Sequence, residues 1–475
     1  MPRASSLPRA PSGADVIARL DPALIRLALV LMLGGFASGL DMTIVNVALN
    51  TIGRDFDATV STLQWVSTAY LLTVAVVIPL TAWASDRYGA RRMWFVSLGV
   101  FVLGSTLCGA AWSIQSLIAF RIVQGIGGGM LLPLIRTILA QAAGRDRMGR
   151  VMVFVAIPSS LTPAIGPVLG GLVVDSLTWR WAFYINIPIC LFALLGAWLI
   201  VPRNKPVNAN QPLDRHGLAL LTIGLGTIVY GLSQLGHHPE AVDQPTAVSL
   251  VVGLIMLAAY VWHAVQPDRR AIIDLGLFTV RSFATSAMVL FLSGGSLFGA
   301  LFLFPLFYQQ VRGAEPLAAG LLMAPLGLGM ALSMAFAGKI VDRTKAERTV
   351  MLTGIALAAI GMSPYAVFTG LPNDWLLAGA NLCIGLGLGA VLIATFTATY
   401  RDLATEQIAS ATSASRIIQQ LGSLLGIALL ASIVQLYGGM SATAFAHAFA
   451  WTLGLMLITA VPAACNAPAA MSAKR

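Results

Sequence analysis

Charged residues are scarce in this chain. Of its 475 residues only 10% are Asp, Glu, Lys or Arg, whereas 57% are hydrophobic, and the mean hydropathy is +0.83. A soluble domain carries about 25% charged residues, so the composition excludes one. The apolar residues fall in many runs of about 20, the length at which a helix crosses about 30 Å of hydrocarbon. A membrane β-barrel would show short alternating segments instead. The sequence therefore predicts an all-α polytopic membrane protein.

Cysteine is also rare, and the four residues Cys108, Cys190, Cys383 and Cys465 are far apart, in or beside apolar runs. Their spacing matches no metal site and argues against a disulfide framework. The sequence also lacks a P-loop, a nucleophile elbow and a zinc motif. These absences argue against an enzyme, a metal site and a cofactor. They also argue against ATP hydrolysis as a source of energy within this chain.

The apolar runs give fourteen predicted spans, the first starting near Leu24 and the last ending near Ala464. With the N-terminus inside, nearly all of the 29 Lys and Arg residues fall in inner loops or inner helix edges. Only Arg54, Arg180 and Arg312 fall outside. This is the positive-inside pattern, and it predicts cytoplasmic termini. It also accounts for the net charge of +10 without a nucleic-acid partner.

A weak repeat suggests how the spans are grouped. Asp86-Arg87 follows the second span and Asp342-Arg343 follows the tenth, at the same offset and both on the inner side. Repeated halves around a central site are usual in secondary transporters. We therefore predict two six-helix halves with two inserted spans between them. The predicted divisions are an N-terminal tail (1–23), an N-terminal bundle (24–201), a linker with the inserted spans (202–281) and a C-terminal bundle with a short tail (282–475).

Asp41 is a carboxylate well inside an apolar span, where a charge costs about 3 kcal/mol on insertion scales. At about 1.5 Å per residue, Asp41 lies about 25 Å from the inner membrane surface. Arg121 of the fourth span lies about 20 Å from the same surface, so the two charges are at similar depth. Burial favours the neutral carboxyl group, whereas a nearby cation favours the carboxylate. A site with alternating exposure can use this competition to load and release a proton. The alternative is a static ion pair that fixes packing.

Further candidates are weaker. The prolines and glycines of the fifth span, which include Gly166, Pro167, Gly170 and Gly171, suit either a bend at a gate or close helix packing. Inner-loop residues could form ion pairs or cap helices in one state, or only anchor the chain; these are Asp86, Arg87, Gly89, Arg92, Asp342 and Arg343. Candidates for the substrate pathway are Asn46, Tyr70 and Gln124.

Six segments carry a family pattern: Leu40–Leu49, Gln64–Tyr70, Asp86–Arg92, Arg121–Gly125, Gly166–Gly171 and Pro305–Gln310. In this order they resemble the motifs of the major facilitator superfamily, in its fourteen-span drug:proton antiporter branch (EmrB/QacA-like). Two positions depart from the family pattern: Asn50 follows the first segment where the family usually has Pro, and Ala82 opens the loop motif in place of Gly.

The resemblance implies a proton-coupled antiporter that exports drugs or other amphiphilic or cationic small molecules by alternating access. Asp41 and Arg121 would couple protons, and the proton gradient would be the only driving force, without a cofactor. We expect a monomer in the cell membrane that contacts lipid, substrate and protons. One alternative is a proton-coupled transporter of a specific metabolite or nutrient with the same fold. The other is a sensor or assembly subunit that does not transport.

Overall fold

The computed structural model describes residues 21–143, 162–163, 165–201, 213–237, 243–266, 275–344, 346–367, 373–403 and 407–466. Within these ranges the long elements are all helices. They are α1 (Pro22–Asp55), α2 (Val60–Tyr88), α3 (Ala90–Gly109), α4 (Ile114–Ala143), α5 (Ile165–Ser176), α6 (Trp181–Ile200), α7 (Arg215–His237), α8 (Gln244–Val265), α9 (Arg281–Val311), α10 (Pro316–Thr344), α11 (Glu347–Val367), α12 (Asp374–Tyr400), α13 (Ile408–Leu436) and α14 (Ala442–Cys465).

Thirteen of the described helices are long and apolar enough to cross a membrane. The shorter apolar helix α5 corresponds to the second half of the fifth predicted span, whose first half lies outside the described residues. Many large apolar side chains point away from the bundle, Trp198, Leu199 and Trp262 among them. Such a surface suits lipid rather than water. The predicted all-α polytopic fold is confirmed, and the protein is a multi-pass membrane protein.

Helix ends carry the polar residues that a lipid-buried segment lacks. Asp21, Thr59 and Ser441 each cap a helix by accepting a hydrogen bond from a backbone N–H of its first turn. Gly89 joins α2 to α3 with a φ of 87°, a conformation that favours glycine. Short turns of this kind place consecutive helices antiparallel, so the polypeptide crosses repeatedly.

The helices pack in two groups with a hairpin between them. In the first group α4 packs against α1, α2 and α3, and α6 packs against α1. In the second group α12 packs against α10 and α11, and α9 packs against α13 and α14. The inserted helices α7 and α8 pack on each other, and α7 contacts both α2 and α13. The exact division of the chain into halves stays a prediction.

Candidate functional site

Asp41 is completely buried in α1, and its carboxylate pairs with an arginine of another helix. Arg121, on α4 and only 1% exposed, donates from Nη1 to Asp41 Oδ2 at 2.5 Å. The structure therefore brings together the two charges that the sequence places at similar depth. A buried pair of this kind is held by its geometry, because either charge alone would be strongly disfavoured.

Two amides complete the surroundings of the carboxylate. Gln124, one turn after Arg121, donates to Asp41 Oδ1 at 2.7 Å and to Ser105 Oγ at 2.8 Å. Its Oε1 accepts from Arg121 Nη1 at 2.6 Å. Asn186 of α6 donates to the same Asp41 oxygen at 2.9 Å. The carboxylate thus accepts hydrogen bonds from three side chains on two helices.

Arg121 is also held by groups other than Asp41. Its Nε donates to the carbonyl oxygen of Val66 on α2 at 2.9 Å, and its guanidinium lies 4.2 Å from the ring centroid of Tyr70. The Tyr70 hydroxyl lies 3.1 Å from Ser38 Oγ. A cation over an aromatic ring is stabilised electrostatically, more so where water is excluded. Arg121 therefore keeps partners that do not depend on the charge of Asp41.

The pathway candidates fall in different places. Tyr70 and Gln124 belong to the Asp41 network, whereas Asn46 accepts a hydrogen bond from Ser67 of α2 at 2.9 Å and joins α1 to α2. All three side chains are buried. In this arrangement they form contacts between helices, and a role in contacting substrate stays a prediction.

The glycines of α5 allow close contacts on two sides. A Cβ atom at Gly166 would clash with Thr43 of α1, and one at Gly171 would clash with Pro316 of α10. Gly170 faces the backbone of Ile44. Conversely, a Cβ atom at Gly320 of α10 would clash with the carbonyl of Pro167. Helix α5 is thus packed between α1 of the first half and α10 of the second.

Amide side chains also join the two halves, near the end of the bundle at which α5 contacts α10. Asn50 of α1 donates to Gln309 Oε1 at 3.1 Å, and Gln309 Nε2 donates to the carbonyl of Val47 at 2.9 Å. Gln310 also donates to Asn50 Oδ1. The residue that stands where the family usually has Pro therefore forms a contact that Pro could not form. The two halves touch at the end that the sequence places outside.

Where their side chains are described, the inner-loop candidates do not join the Asp41 network. Arg87 is exposed, and its guanidinium lies 5.6 Å from the Trp83 ring and 5.7 Å from the Tyr88 ring. Asp86 is half-buried near the end of α2, and Gly89 forms the turn to α3. Arg92 and Arg343 are exposed. Asp342 lies in α10, and its side chain is outside the described residues.

A family model described as Major Facilitator Superfamily matches residues 31–427. The chain belongs to the Major Facilitator Superfamily. A transporter of this superfamily is not an enzyme, and the role of the Asp41 site in transport stays a prediction.

Curated relatives of this facilitator carry names from drug resistance. It is 38% identical over 418 residues to a "Multidrug resistance protein B homolog" of Mycobacterium tuberculosis, covering 88% of this chain and 77% of the relative. It is 31% identical over 409 residues to a "Putative multidrug resistance protein MdtD" of Serratia proteamaculans, covering 85% and 84%. The resemblance seen in the motifs is thus confirmed.

Solved structures show the fold of this facilitator at lower identity. An inward-facing, unoccupied bacterial homolog of the human lysosomal transporter Spinster matches with a TM-score of 0.68 at 14% identity, covering 94% of this chain and 97% of that one. A point mutant of the nucleoside transporter NupG matches with a TM-score of 0.66 at 15% identity, covering 92% and 98%. Both likenesses concern the fold alone.

Sequence reasoning missed two members of this facilitator's polar network, Asn186 and Ser105. Both are completely buried. Asn186 stands about 8 Å into α6 at about 1.5 Å per residue, close to the depth of Arg121. An amide inside an apolar span at the depth of a buried charge was a usable signal. Ser105 offered none, because serine occurs widely in membrane helices.

Proposed function

We propose that this transporter exports amphiphilic small molecules in exchange for protons, by alternating access of its two halves. The observation that carries the proposal is the Asp41 carboxylate, buried and surrounded by N–H donors on α4 and α6. The names of the relatives support drug-like substrates. We further propose a monomer in the cell membrane, with both termini in the cytoplasm and no bound cofactor.

Protonation of Asp41 would change the contacts between α1 and the rest of the first half. A neutral carboxyl group holds Arg121 far less strongly than a carboxylate does. Arg121 would then keep its contacts with Val66, Tyr70 and Gln124, which belong to α2 and α4. The proton therefore weakens the link of α1 to α4 without leaving the cation unpartnered. Loss of the proton restores that link.

The contacts at the outer end supply the element that alternates. Asn50 with Gln309 and Gln310, together with the glycine contacts of α5, hold the halves together there. Their separation would open the outer side. In this scheme α5 seals or bends between states, and Asp86 and Arg87 at the end of α2, with Asp342 and Arg343 at the end of α10, steady one state from the inner side. Thr43, which α5 contacts, is two residues from Asp41 and so lies on a different face of α1.

The test is Asp41→Asn in proteoliposomes, with ethidium and rhodamine 6G as probe substrates. We expect accumulation driven by a proton gradient to be lost, because Asn cannot take up and release a proton. Counterflow, which exchanges labelled for unlabelled probe without net proton movement, should persist. Retained counterflow also shows that the variant is folded, although loss of the charge partner of Arg121 costs it about 3–5 kcal/mol of stability.

Asp374→Asn is the matched control, since Asp374 forms an exposed ion pair with Arg312 at 2.7 Å and lies outside the network. It should transport as the wild type does. If probe accumulation in Asp41→Asn still follows the proton gradient, Asp41 does not couple transport to protons. Gradient-driven movement of the probes in the inward direction only would contradict export.

A further inference from the structure

Two arginines outside the Asp41 network lie in helices of opposite halves, at the end that the sequence places inside. Arg136 lies two turns before the end of α4, and Arg416 lies in the third turn of α13. Both side chains are half-buried. The arginines of the inner loops, such as Arg87, Arg92 and Arg343, are exposed. Simple anchoring at the membrane surface therefore does not account for Arg136 and Arg416.

Helix periodicity directs both residues toward α2. On α4, Gly125 and Gly129 pack on α2 at Thr73 and Val74, and Arg136 follows Gly129 by seven residues, which returns to the same face. On α13, Gln420 donates to the carbonyl of Leu71 on α2 at 3.4 Å, and Arg416 lies one turn before it. The two guanidinium groups thus approach the same corner between the halves.

The surroundings of these cations hold aromatic rings of α12. The guanidinium of Arg416 lies 5.3 Å from the ring centroid of Phe396. Arg136 lies close enough to Arg416 for their positive charges to repel, and Tyr400 lies near both arginines. Tyr400 follows Phe396 by one helical turn. Helices of both halves therefore surround this pair of like charges.

Among the described residues, no carboxylate lies within ion-pair distance of Arg136 or Arg416. By contrast, Arg121 and Arg312 each contact one carboxylate, and Arg401 contacts two. Two half-buried cations close together are electrostatically unfavourable unless an anion neutralises them. The planar guanidinium binds carboxylates and phosphates through two parallel hydrogen bonds. A single carboxylate or phosphate group would pair with both cations.

We propose that Arg136 and Arg416 together bind one carboxylate or phosphate group of an amphiphilic molecule at the inner end of the transport pathway. This inference rests on the proposed function and deepens it, because it adds anionic amphiphiles to the substrate class. Phe396 and Tyr400 would lie against the apolar part beside that group. Bound in this way, the anion would link α4 to α13 and so connect the halves on the inner side.

The test compares two probes with the same apolar body, pyrenebutyric acid and its methyl ester. Binding to the full-length protein in neutral detergent is measured by energy transfer from tryptophan. The wild type should prefer the acid by about tenfold, the size expected for charge-assisted hydrogen bonds to one group. Arg136→Gln and Arg416→Gln should each lose this preference, and the double variant should lose no more. Arg416→Lys should keep part of it.

Arg281→Gln is the matched control, because Arg281 is an exposed arginine at the start of α9; it should keep the preference. If the wild type does not prefer the acid, the inference is wrong. The proposed function still stands in that case if the protein exports ethidium under a proton gradient. Preference for the acid without any export would overturn only the proposed function.

An anionic phospholipid headgroup is the other source of a carboxylate or phosphate group. Displacement of the acid by phosphatidylglycerol would assign the site to lipid and overturn its role in transport.

Two carboxylates of the chain itself, Asp146 and Glu406, lie outside the described residues. A further variant tests whether one of them occupies the site. If the Asp146→Asn/Glu406→Gln variant gains an acid preference that the wild type lacks, an internal carboxylate occupies the site and the proposal is wrong. An unchanged preference in that variant supports an external anion.

Discussion

The Asp41 carboxylate is stable in the bundle because N–H donors replace the water it has lost. Arg121 supplies the opposite charge at 2.5 Å, and Gln124 and Asn186 bind the other oxygen at 2.7 and 2.9 Å. Hydrogen bonds to a charged group each contribute about 1.5–3 kcal/mol. The amides are neutral, so they support the carboxylate without fixing the net charge of the site. Changing one of them should weaken the network and leave the ion pair in place.

Asn186→Leu removes one donor while keeping a side chain of similar size. We expect the variant to lose about 1–3 kcal/mol of stability, since the remaining hydrogen bonds cannot replace the lost one. The measurement is the melting temperature of the purified protein in detergent. The same change in a half-exposed amide, Gln234→Leu on α7, should leave that temperature nearly unchanged. Equal effects of the two substitutions would show that Asn186 does not support Asp41.

The depth of a residue in the membrane could be predicted from the sequence, but not its lateral neighbours. Counting residues along α1 and α4 placed Asp41 and Arg121 at similar depth, and they are in contact. Which face of α6 turns toward Asp41 is decided by packing against α1, so Asn186 was missed. Asn50 was seen only as a departure from the family pattern. Its partners, Gln309 and Gln310, lie more than 250 residues away in sequence.

Among the helices, α9 shows how one proline shapes a contact between the halves. Pro305 cannot donate a backbone hydrogen bond, and the helix widens into a π-turn at Phe307–Val311. Such turns are rare and frequently mark functional sites. Here the turn carries Gln309 and Gln310, which meet Asn50 and Val47 of α1. The sequence predicts a disturbance at Pro305, but the wide turn and its partners depend on the packed halves.

Gly320→Ala should disfavour the arrangement in which the outer ends touch. The added methyl group would clash with the backbone carbonyl of Pro167 on α5, and a backbone atom cannot move aside as a flexible side chain can. We expect α5 and α10 to separate at this end. The measurement is the distance distribution between spin labels introduced by Ser176→Cys and Glu315→Cys, on exposed positions of the two outer ends, in a Cys465→Ser background that removes the exposed native thiol.

The control for this substitution is Gly379→Ala on α12, where an added Cβ atom meets nothing within 4 Å. It should leave the distances as they are in the wild type. If Gly320→Ala also leaves them unchanged, close packing of α5 on α10 does not hold the outer end closed. The prediction concerns only the population of the two arrangements and does not depend on which molecule is transported.

On the scale of the whole molecule, the inserted hairpin bridges the halves rather than lying at their edge. Trp65 of α2 donates to Ser233 of α7 at 3.2 Å, and Ser432 of α13 donates to the carbonyl of Leu232 at 2.5 Å. Helix α7 therefore packs against one helix from each half, α2 and α13. The sequence predicted two extra spans, but their docking could not be predicted, because the composition of a span does not identify the helices that it packs against.

The proposed topology can be tested with a native residue. Cys465, at the end of α14, is exposed, whereas Cys108 and Cys190 are buried and Cys383 is partly so. With fourteen spans both termini lie on one side, and the positive-inside pattern places that side in the cytoplasm. A membrane-impermeant maleimide should therefore label the protein in inside-out vesicles and not in intact cells, and Cys465→Ser should abolish the labelling.

Asp374→Cys in the Cys465→Ser background supplies the opposite case, since Asp374 lies at the other end of the bundle and is exposed. It should react in intact cells. Labelling of the native chain in intact cells would place the end of α14 outside, and then Arg136 and Arg416 would face the external medium. The anion site would in that case receive molecules from outside, so the sidedness of Cys465 also decides whether the two-arginine site can serve export.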